Sequence, residues 1–317
     1  TPEVIDSNVH LFNIRSAYRF HTIEPPVIQQ GDPSVGENPP YGASINYYLK
    51  TEGAVDVTIS IVDEKGQTIR TLDGSKNRGI NRVWWDLRYE LTEEPRLRTS
   101  PLIAPWVKLG PEGWRPFPGR AAGRTAIMVP PGKYTVTLSV DGKEISQNLL
   151  VKKDPHSVGS EEDILAQTRM LLEVRNDINS VVRMINQSES IRRQIYDLKD
   201  FLKDDDSAKS ISIASEKLDQ KIISVEENLY EMKSTGRGQD YTYREPSKFL
   251  TRLLGFVGSI TSADFPPTTQ LIERHEENRN IRETYLKQFN ELIKKDLPAF
   301  NNLLKEKNIP PVTGLDF

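Results

Sequence analysis

Apolar residues recur along this chain with two different periods, and the change of period divides it. In residues 44–50 the apolar set is Ile45, Tyr47 and Leu49, and in 54–62 it is Val55, Val57, Ile59 and Ile61, each separated by one polar position. A short strand is predicted at 68–72. Residues 81–89 then place Val83, Trp85 and Leu87 on one face, residues 133–140 offer Tyr134, Val136, Leu138 and Val140, and residues 144–151 offer Ile145, Leu149 and Val151. A period of two belongs to a strand with one face buried. Val140-Asp141-Gly142-Lys143 joins two such runs, and Asp-Gly between alternating runs predicts a tight hairpin. Asp63-Glu64-Lys65-Gly66 predicts a second one.

Beyond residue 160 the spacing lengthens to that of a helix. Ile164, Leu171, Ile178 and Ile185 are seven apart, as are Val174, Val181, Ile195 and Leu202 if Ser188 is admitted as a gap, so one seam runs along a helix of about forty residues. A second helix uses Ile211, Leu218, Ile222, Val225, Leu229 and Met232 and stops at Gly236-Arg237-Gly238. A third covers 246–260 with Phe249, Leu250, Leu253, Leu254 and Val257. A fourth opens at Pro267, uses Leu271, Tyr285, Phe289, Leu292, Phe300 and Leu303, and is kinked at Pro298.

Turn-forming residues follow the same division. Residues 1–150 hold 14 of the 21 Pro and 13 of the 19 Gly, and both interrupt helices. The predicted fold class is therefore α+β in two domains: an antiparallel β-sandwich of immunoglobulin or fibronectin type, then an antiparallel four-helix bundle. The expected boundaries are an extended N-terminal segment at 1–40, a sandwich at 41–153 carrying an insertion at 92–129, and the bundle at 154–317. A parallel α/β sheet would require helices between the strands. Trp85, in phase with Val83 and Leu87, is assigned to the core; Asp86 and Arg88 share the opposite face and are expected to pair.

The 317 residues carry 42 Lys+Arg against 45 Asp+Glu, a formal charge of -3. That balance exerts no global attraction on phosphate, and no basic run of any length is present, so neither a nucleic-acid partner nor membrane insertion is expected. Zero Cys removes disulfides, thiolate metal sites and thiol nucleophiles together. No stretch approaches the roughly 18 apolar residues of a membrane span, and the first residues lack the layout of a signal peptide.

Candidate chemistry is sparse. His10, His21, His156 and His275 are far apart, without HExxH or HxH spacing; His275 lies in a charged run read as a solvated face, and His156 reads as a turn residue. No serine occupies a GxSxG elbow, and no phosphate-binding glycine loop is present. Asp204-Asp205-Asp206 lacks the loop pattern of a calcium site and reads as a solvated cap. No catalytic residue, metal ligand or cofactor is assigned. The insertion is the best binding candidate: Tyr89, Trp106, Trp114 and Phe117 with Arg96, Arg98, Arg115 and Arg120 combine flat rings with forked donors, a combination suited to glycans. Trp106, Trp114, Arg115 and Phe117 are the proposed ligand-binding set. The competing expectation is that a loop so rich in proline and aromatic residues packs against a surface of its own.

Several runs carry a resemblance. Val57-Thr-Ile-Ser-Ile-Val-Asp-Glu-Lys-Gly-Gln-Thr-Ile-Arg-Thr-Leu72, Gly79-Ile-Asn-Arg-Val-Trp-Trp-Asp-Leu-Arg88 and Pro131-Gly-Lys-Tyr-Thr-Val-Thr-Leu138 resemble the immunoglobulin-like or fibronectin-type repeat of the flagellar hook-capping protein and of many exported bacterial enzymes. Followed by a helical region ending in Asp296-Leu-Pro-Ala-Phe-Asn301, the order is similar to the C-terminal region of large bacterial proteins with a sortilin-like or sialidase-like Asp-box β-propeller, a group termed glycosyl hydrolases. Ser139-Val-Asp141-Gly-Lys143 and Thr71-Leu-Asp73-Gly-Ser75 lack the Gly of an Asp-box at the fifth position. The resemblance implies a non-catalytic accessory region of an exported, extracytoplasmic parent, with the upstream propeller as its partner and a glycan as a further possible ligand. The alternatives are a carbohydrate-binding module using the insertion, and a protein-interaction scaffold.

Overall fold

The computed structural model describes residues 2–21, 39–51, 53, 56–118, 120–205, 208–235 and 246–314. Val55, Asp206, the stop at 236–238 and the Arg120 side chain lie outside the described residues. The chain forms two compact units. One comprises Thr1–Leu91, Ala126–Met170 and Thr261–Pro267; the other comprises Thr92–Thr125, Leu171–Ile260 and Thr268–Phe317. The proline-rich segment Thr92–Thr125 thus groups with the helices.

The first unit contains a short helix α1 (Pro2–Asp6), the strands β1 (Val9–Leu11), β2 (Ala17–Arg19), β3 (Ala43–Leu49), β4 (Val57–Val62), β5 (Thr68–Asp73) and β6 (Gly79–Trp85), and, after the excursion into the second unit, β9 (Gly132–Val140) and β10 (Lys143–Lys153). Alternation does what the pattern predicts: Ile45, Tyr47, Leu49, Val57, Ile59, Ile61, Val136, Leu138 and Leu149 enter one apolar core. At the β9–β10 hairpin Val140 is paired with Lys143, and Asp141 and Gly142 both have positive φ, 48° and 82°. That is the two-residue turn whose twist matches the strands. The second hairpin closes with Asp63 N–H donating to the Gln67 carbonyl at 3.0 Å and Gly66 at φ 79°.

Trp85 is completely buried. Its ring meets Tyr134 edge-on at 5.4 Å, and its indole N–H donates to the Arg88 carbonyl at 2.9 Å. Leu87 is also in the core, but through a left-handed residue just past the strand, φ 55°. The expected pairing of Arg88 with Asp86 is present at 3.9 Å.

The antiparallel sandwich is not what these strands build. The larger sheet has the order β2-β10-β9-β4-β5, is mixed, and curls into a half-barrel. Its mixed character comes from β2, which runs parallel to β10 with Ala17 against Val151 and Arg19 against Lys153. The smaller sheet is β1-β3-β6. Both N-terminal strands are three residues long, too short for alternation to register, and a parallel pairing across more than a hundred residues leaves no local trace.

The four-helix bundle is likewise replaced. Among the described residues there are five helices of ten residues or more: α2 (Glu161–Phe201), α3 (Lys209–Leu229), α4 (Phe249–Ile260), α5 (Thr269–Glu291) and α6 (Leu297–Glu306). The forty-residue seam is real, with Ile164, Leu171, Val174, Ile178, Val181, Ile185 and Ile195 all buried. The expected fourth helix is divided by a π-helical turn at Leu292–Asp296. Pro298 explains the division: it has no N–H for the Lys294 carbonyl and its ring crowds that carbonyl, so the backbone widens one turn upstream and Pro298 becomes a first-turn proline of α6.

Candidate functional site

The second unit is organised around the insertion. Its base is closed by Thr92, whose N–H donates to the Thr125 carbonyl at 2.9 Å and whose hydroxyl accepts from Thr125 N–H at 3.0 Å. A short ladder, β7 (Arg96–Leu97) with β8 (Arg115–Pro116), continues it. Among the described residues no strand lies beside the outer edge of this ribbon, and side chains of α2 act in place of one. Glu93 N–H donates to Asn179 Oδ1 at 2.9 Å, Arg96 N–H to Asn186 Oδ1 at 2.7 Å, and Thr99 N–H to Glu189 Oε2 at 2.6 Å. Every third backbone donor thus finds a partner along one face of α2, which satisfies groups that burial would otherwise leave costly.

Where the ribbon reaches Thr99, a buried charge network forms. Arg192 is completely buried. Its Nε donates to Asp219 Oδ1 at 2.9 Å, its Nη1 to Glu226 Oε2 at 3.1 Å and Thr99 Oγ1 at 3.2 Å, and its Nη2 to the Tyr196 hydroxyl at 2.6 Å. Glu189, also inaccessible, accepts from the Thr99 hydroxyl at 2.9 Å and the Tyr230 hydroxyl at 2.7 Å. Three carboxylates therefore surround one guanidinium. Burial pushes the Glu226 carboxyl well above its ordinary range, and the neighbouring Glu189 pushes it further against the pull of Arg192. Burial likewise raises the Tyr196 phenol to about 12.

None of these residues was singled out by the sequence pattern. The signal available was polar residues set inside apolar helix faces: Asn186, Glu189 and Arg192 where the α2 seam shows its gap at Ser188, and Asp219 and Glu226 seven apart beside Leu218 and Val225 of α3.

The four residues proposed for ligand binding occupy two kinds of position. Arg115 is buried, with Nε donating to the Thr99 carbonyl at 2.9 Å and Nη1 to the Ser234 carbonyl at 3.4 Å. Phe117 is buried with its ring 6.0 Å from Tyr230. Trp114 is half-buried, its N–H donating to Glu112 Oε2 at 2.8 Å and its ring covered by the Arg96 guanidinium at 5.5 Å. Trp106 alone projects, 75% exposed. The structure does not assemble the four into one face.

The histidines divide similarly. His156 is exposed, and its N–H donates to Asp154 Oδ1 in a turn, as expected. His275 corrects the reading of a solvated face: it is 5% exposed, stacks on Phe256 with centroids 6.4 Å apart, and shares a hydrogen bond of 3.0 Å with Glu173. Asp177, raised by burial against the opposing Arg282, lies beside it with Oδ2 4.0 Å from His275 Nδ1.

In the first unit Asp264 collects Arg19 Nη1 and His21 Nε2 on one oxygen and the Ser157 hydroxyl, at 2.9 Å, on the other. Burial raises its carboxyl, but the Arg19 hydrogen bond and charge outweigh this and hold it below the usual range. Serine, histidine and aspartate meet here in the wrong order for nucleophilic catalysis, since the carboxylate lies between the other two and the imidazole is not on the hydroxyl. The arrangement fastens the 261–267 segment to Arg19 at the end of β2.

Among the described residues no cluster of three His, Asp or Glu is placed to hold a metal ion, and no helix is long and apolar enough to cross a membrane. No protein-family model matches the chain, and no curated protein matches it.

Proposed function

We propose that the chain is a non-catalytic accessory region of an exported, propeller-containing, glycosyl-hydrolase-like protein, and that it serves as a rigid structural module beside the propeller. The observation that carries this reading is the sealed network of Glu189, Arg192, Asp219 and Glu226. It gathers four ionisable side chains in the interior of the second unit, and it holds the insertion to α2 and α3 out of reach of any substrate. The Asp264 cluster supports the same reading, with its hydrogen-bonding groups engaged in holding one chain segment to another. The order of the hairpin, Trp-Trp-Asp and Pro-Pro-Gly-Lys-Tyr runs supports the nature of the parent, and an extracytoplasmic location follows from that parent.

Two measurements test the proposal. The coding frame upstream of Thr1 is expected to contain Asp-box repeats; a stop codon followed by a start site would remove the parent. The isolated chain is expected to leave a broad panel of glycosides intact, and turnover abolished by Glu189→Gln would overturn the structural role given to the network.

A further inference from the structure

The tip of the insertion, residues 101–107, exposes several large apolar side chains close together in the sequence. Leu102 is 39% exposed, Ile103 44% and Trp106 75%, with Pro105 exposed between them. Three large apolar side chains are thus exposed within five residues, a local clustering of the kind that marks an interaction site. The backbone beneath them is closed on itself. Ala104 N–H donates to the Pro101 carbonyl at 2.9 Å, Val107 N–H to the Ala104 carbonyl at 3.0 Å, and Leu102 N–H to the Met232 carbonyl at 3.1 Å. The Ser100 hydroxyl donates to the Val107 carbonyl at 2.7 Å. Pro101 and Pro105 have no N–H to satisfy. A loop so braced presents its side chains without losing order on binding.

The charges around the tip indicate what covers it. From Pro95 to Pro111 the chain contains Arg96, Arg98 and Lys108 and no acid at all. Arg96 is engaged with Glu94 at 3.5 Å and with the Trp114 ring, whereas Lys108 stands exposed two residues from Trp106. A sugar face would need polar groups beside the indole, but the other exposed side chains of the 101–107 loop are Leu102, Ile103 and Pro105, and Trp114, Arg115 and Phe117 are engaged within the chain. Tryptophan with aliphatic neighbours and an adjacent lysine is instead the composition that settles at the boundary between acyl chains and anionic headgroups.

We propose that the 101–107 loop is a shallow anchor for an anionic lipid surface, with Trp106, Leu102 and Ile103 entering the interfacial region and Lys108 meeting the headgroups. This is a contact made by a loop and requires no spanning segment.

Sedimentation of the whole chain with vesicles tests the anchor. Vesicles of phosphatidylcholine mixed with phosphatidylglycerol should carry the chain down and shift its tryptophan emission to the blue. Trp106→Ala, at a position where exposure leaves the fold unaffected, should weaken the partitioning by about tenfold or more. Lys108→Gln should reduce the preference over pure phosphatidylcholine vesicles. Leu102→Ser, checked for an unchanged unfolding curve, provides a second variant. A chain that stays in the supernatant, or that sediments equally well as Trp106→Ala, overturns the proposal. Equal binding to neutral and anionic vesicles overturns the part given to Lys108. A dimer or a saturable glycan complex lost in Trp106→Ala, without vesicle binding, would assign the loop to a second copy or to a sugar and overturn the proposal as well.

Discussion

Replacing Arg192 by methionine should reveal what the buried network contributes. Methionine is shorter but of similar volume, so the change removes the guanidinium with little loss of volume. What remains is Glu189, Asp219 and Glu226 in the interior without their cation. Glu189 keeps its bonds from Thr99 and Tyr230. Glu226 keeps none, because its Oε2 accepts from Arg192 and its Oε1 already lacks a partner. Removing one partner of a buried ion pair costs about 3–5 kcal/mol, mostly through the charge left behind. The deficit should depend on pH with a defined sign. Without the cation the Glu226 carboxyl, already raised by burial, titrates still higher than in the unfolded chain, where a glutamate ionises near about 4. A group with a raised folded pKa contributes its stability below the unfolded pKa and loses it as pH rises, so the deficit should widen with pH. Denaturant unfolding of wild type and Arg192→Met at about pH 5 and about pH 8 measures this. Adding Glu226→Gln and Asp219→Asn to the variant should restore part of the loss. A cost under about 1 kcal/mol at the higher pH, or one independent of pH, would refute the reasoning.

Three further outcomes are expected. Trp85→Ala should cost about 3–5 kcal/mol in denaturant unfolding, since it deletes a completely buried ring and leaves the Arg88 carbonyl without its donor; a change within about 0.5 kcal/mol would contradict its place in the core. Glu226→Gln should raise stability increasingly as pH climbs above the unfolded pKa near about 4, because the unfolded chain ionises this carboxyl while burial in the folded state resists ionisation; a thermal-melt difference that grows toward acid would contradict this. Gly159→Ala should destabilise by about 1–3 kcal/mol, because a Cβ there would lie 1.5 Å from the Asp264 carbonyl oxygen; calorimetry showing no change would mean that the segment around Asp264 yields freely.

Much of the local structure was legible in the chain. Ile45, Tyr47 and Leu49, or Val136, Leu138 and Val140, declare a strand and its buried face because side chains alternate across a sheet regardless of what lies beyond it. Asp141-Gly142 declares its hairpin because few other pairs tolerate two positive φ angles. The α2 seam declares one long helix by its period alone. Each is a property of residues close in sequence. The parallel pairing of β2 with β10, which makes the sheet mixed, joins residues more than a hundred apart through strands too short to show a period, so only the tertiary structure decided it. The same is true of the π-helical turn before Pro298, where the proline shows that the helix must yield but not in which way.

The candidate sites divide along the same line. Glu189, Arg192, Asp219 and Glu226 stand in the sequence as ordinary helix charges, and it is the approach of α2 to α3, with Thr99 closing on Glu189 and Arg192, that makes them a sealed network. Trp106, Trp114, Arg115 and Phe117 read as one group of rings and donors. Folding separates them because the α2 side chains capture the ribbon's edge, drawing Arg115 and Phe117 inward and leaving Trp106 in the solvent. Residue type and spacing determined which groups this protein has available; which of them meet water was decided by packing between segments that the sequence keeps far apart.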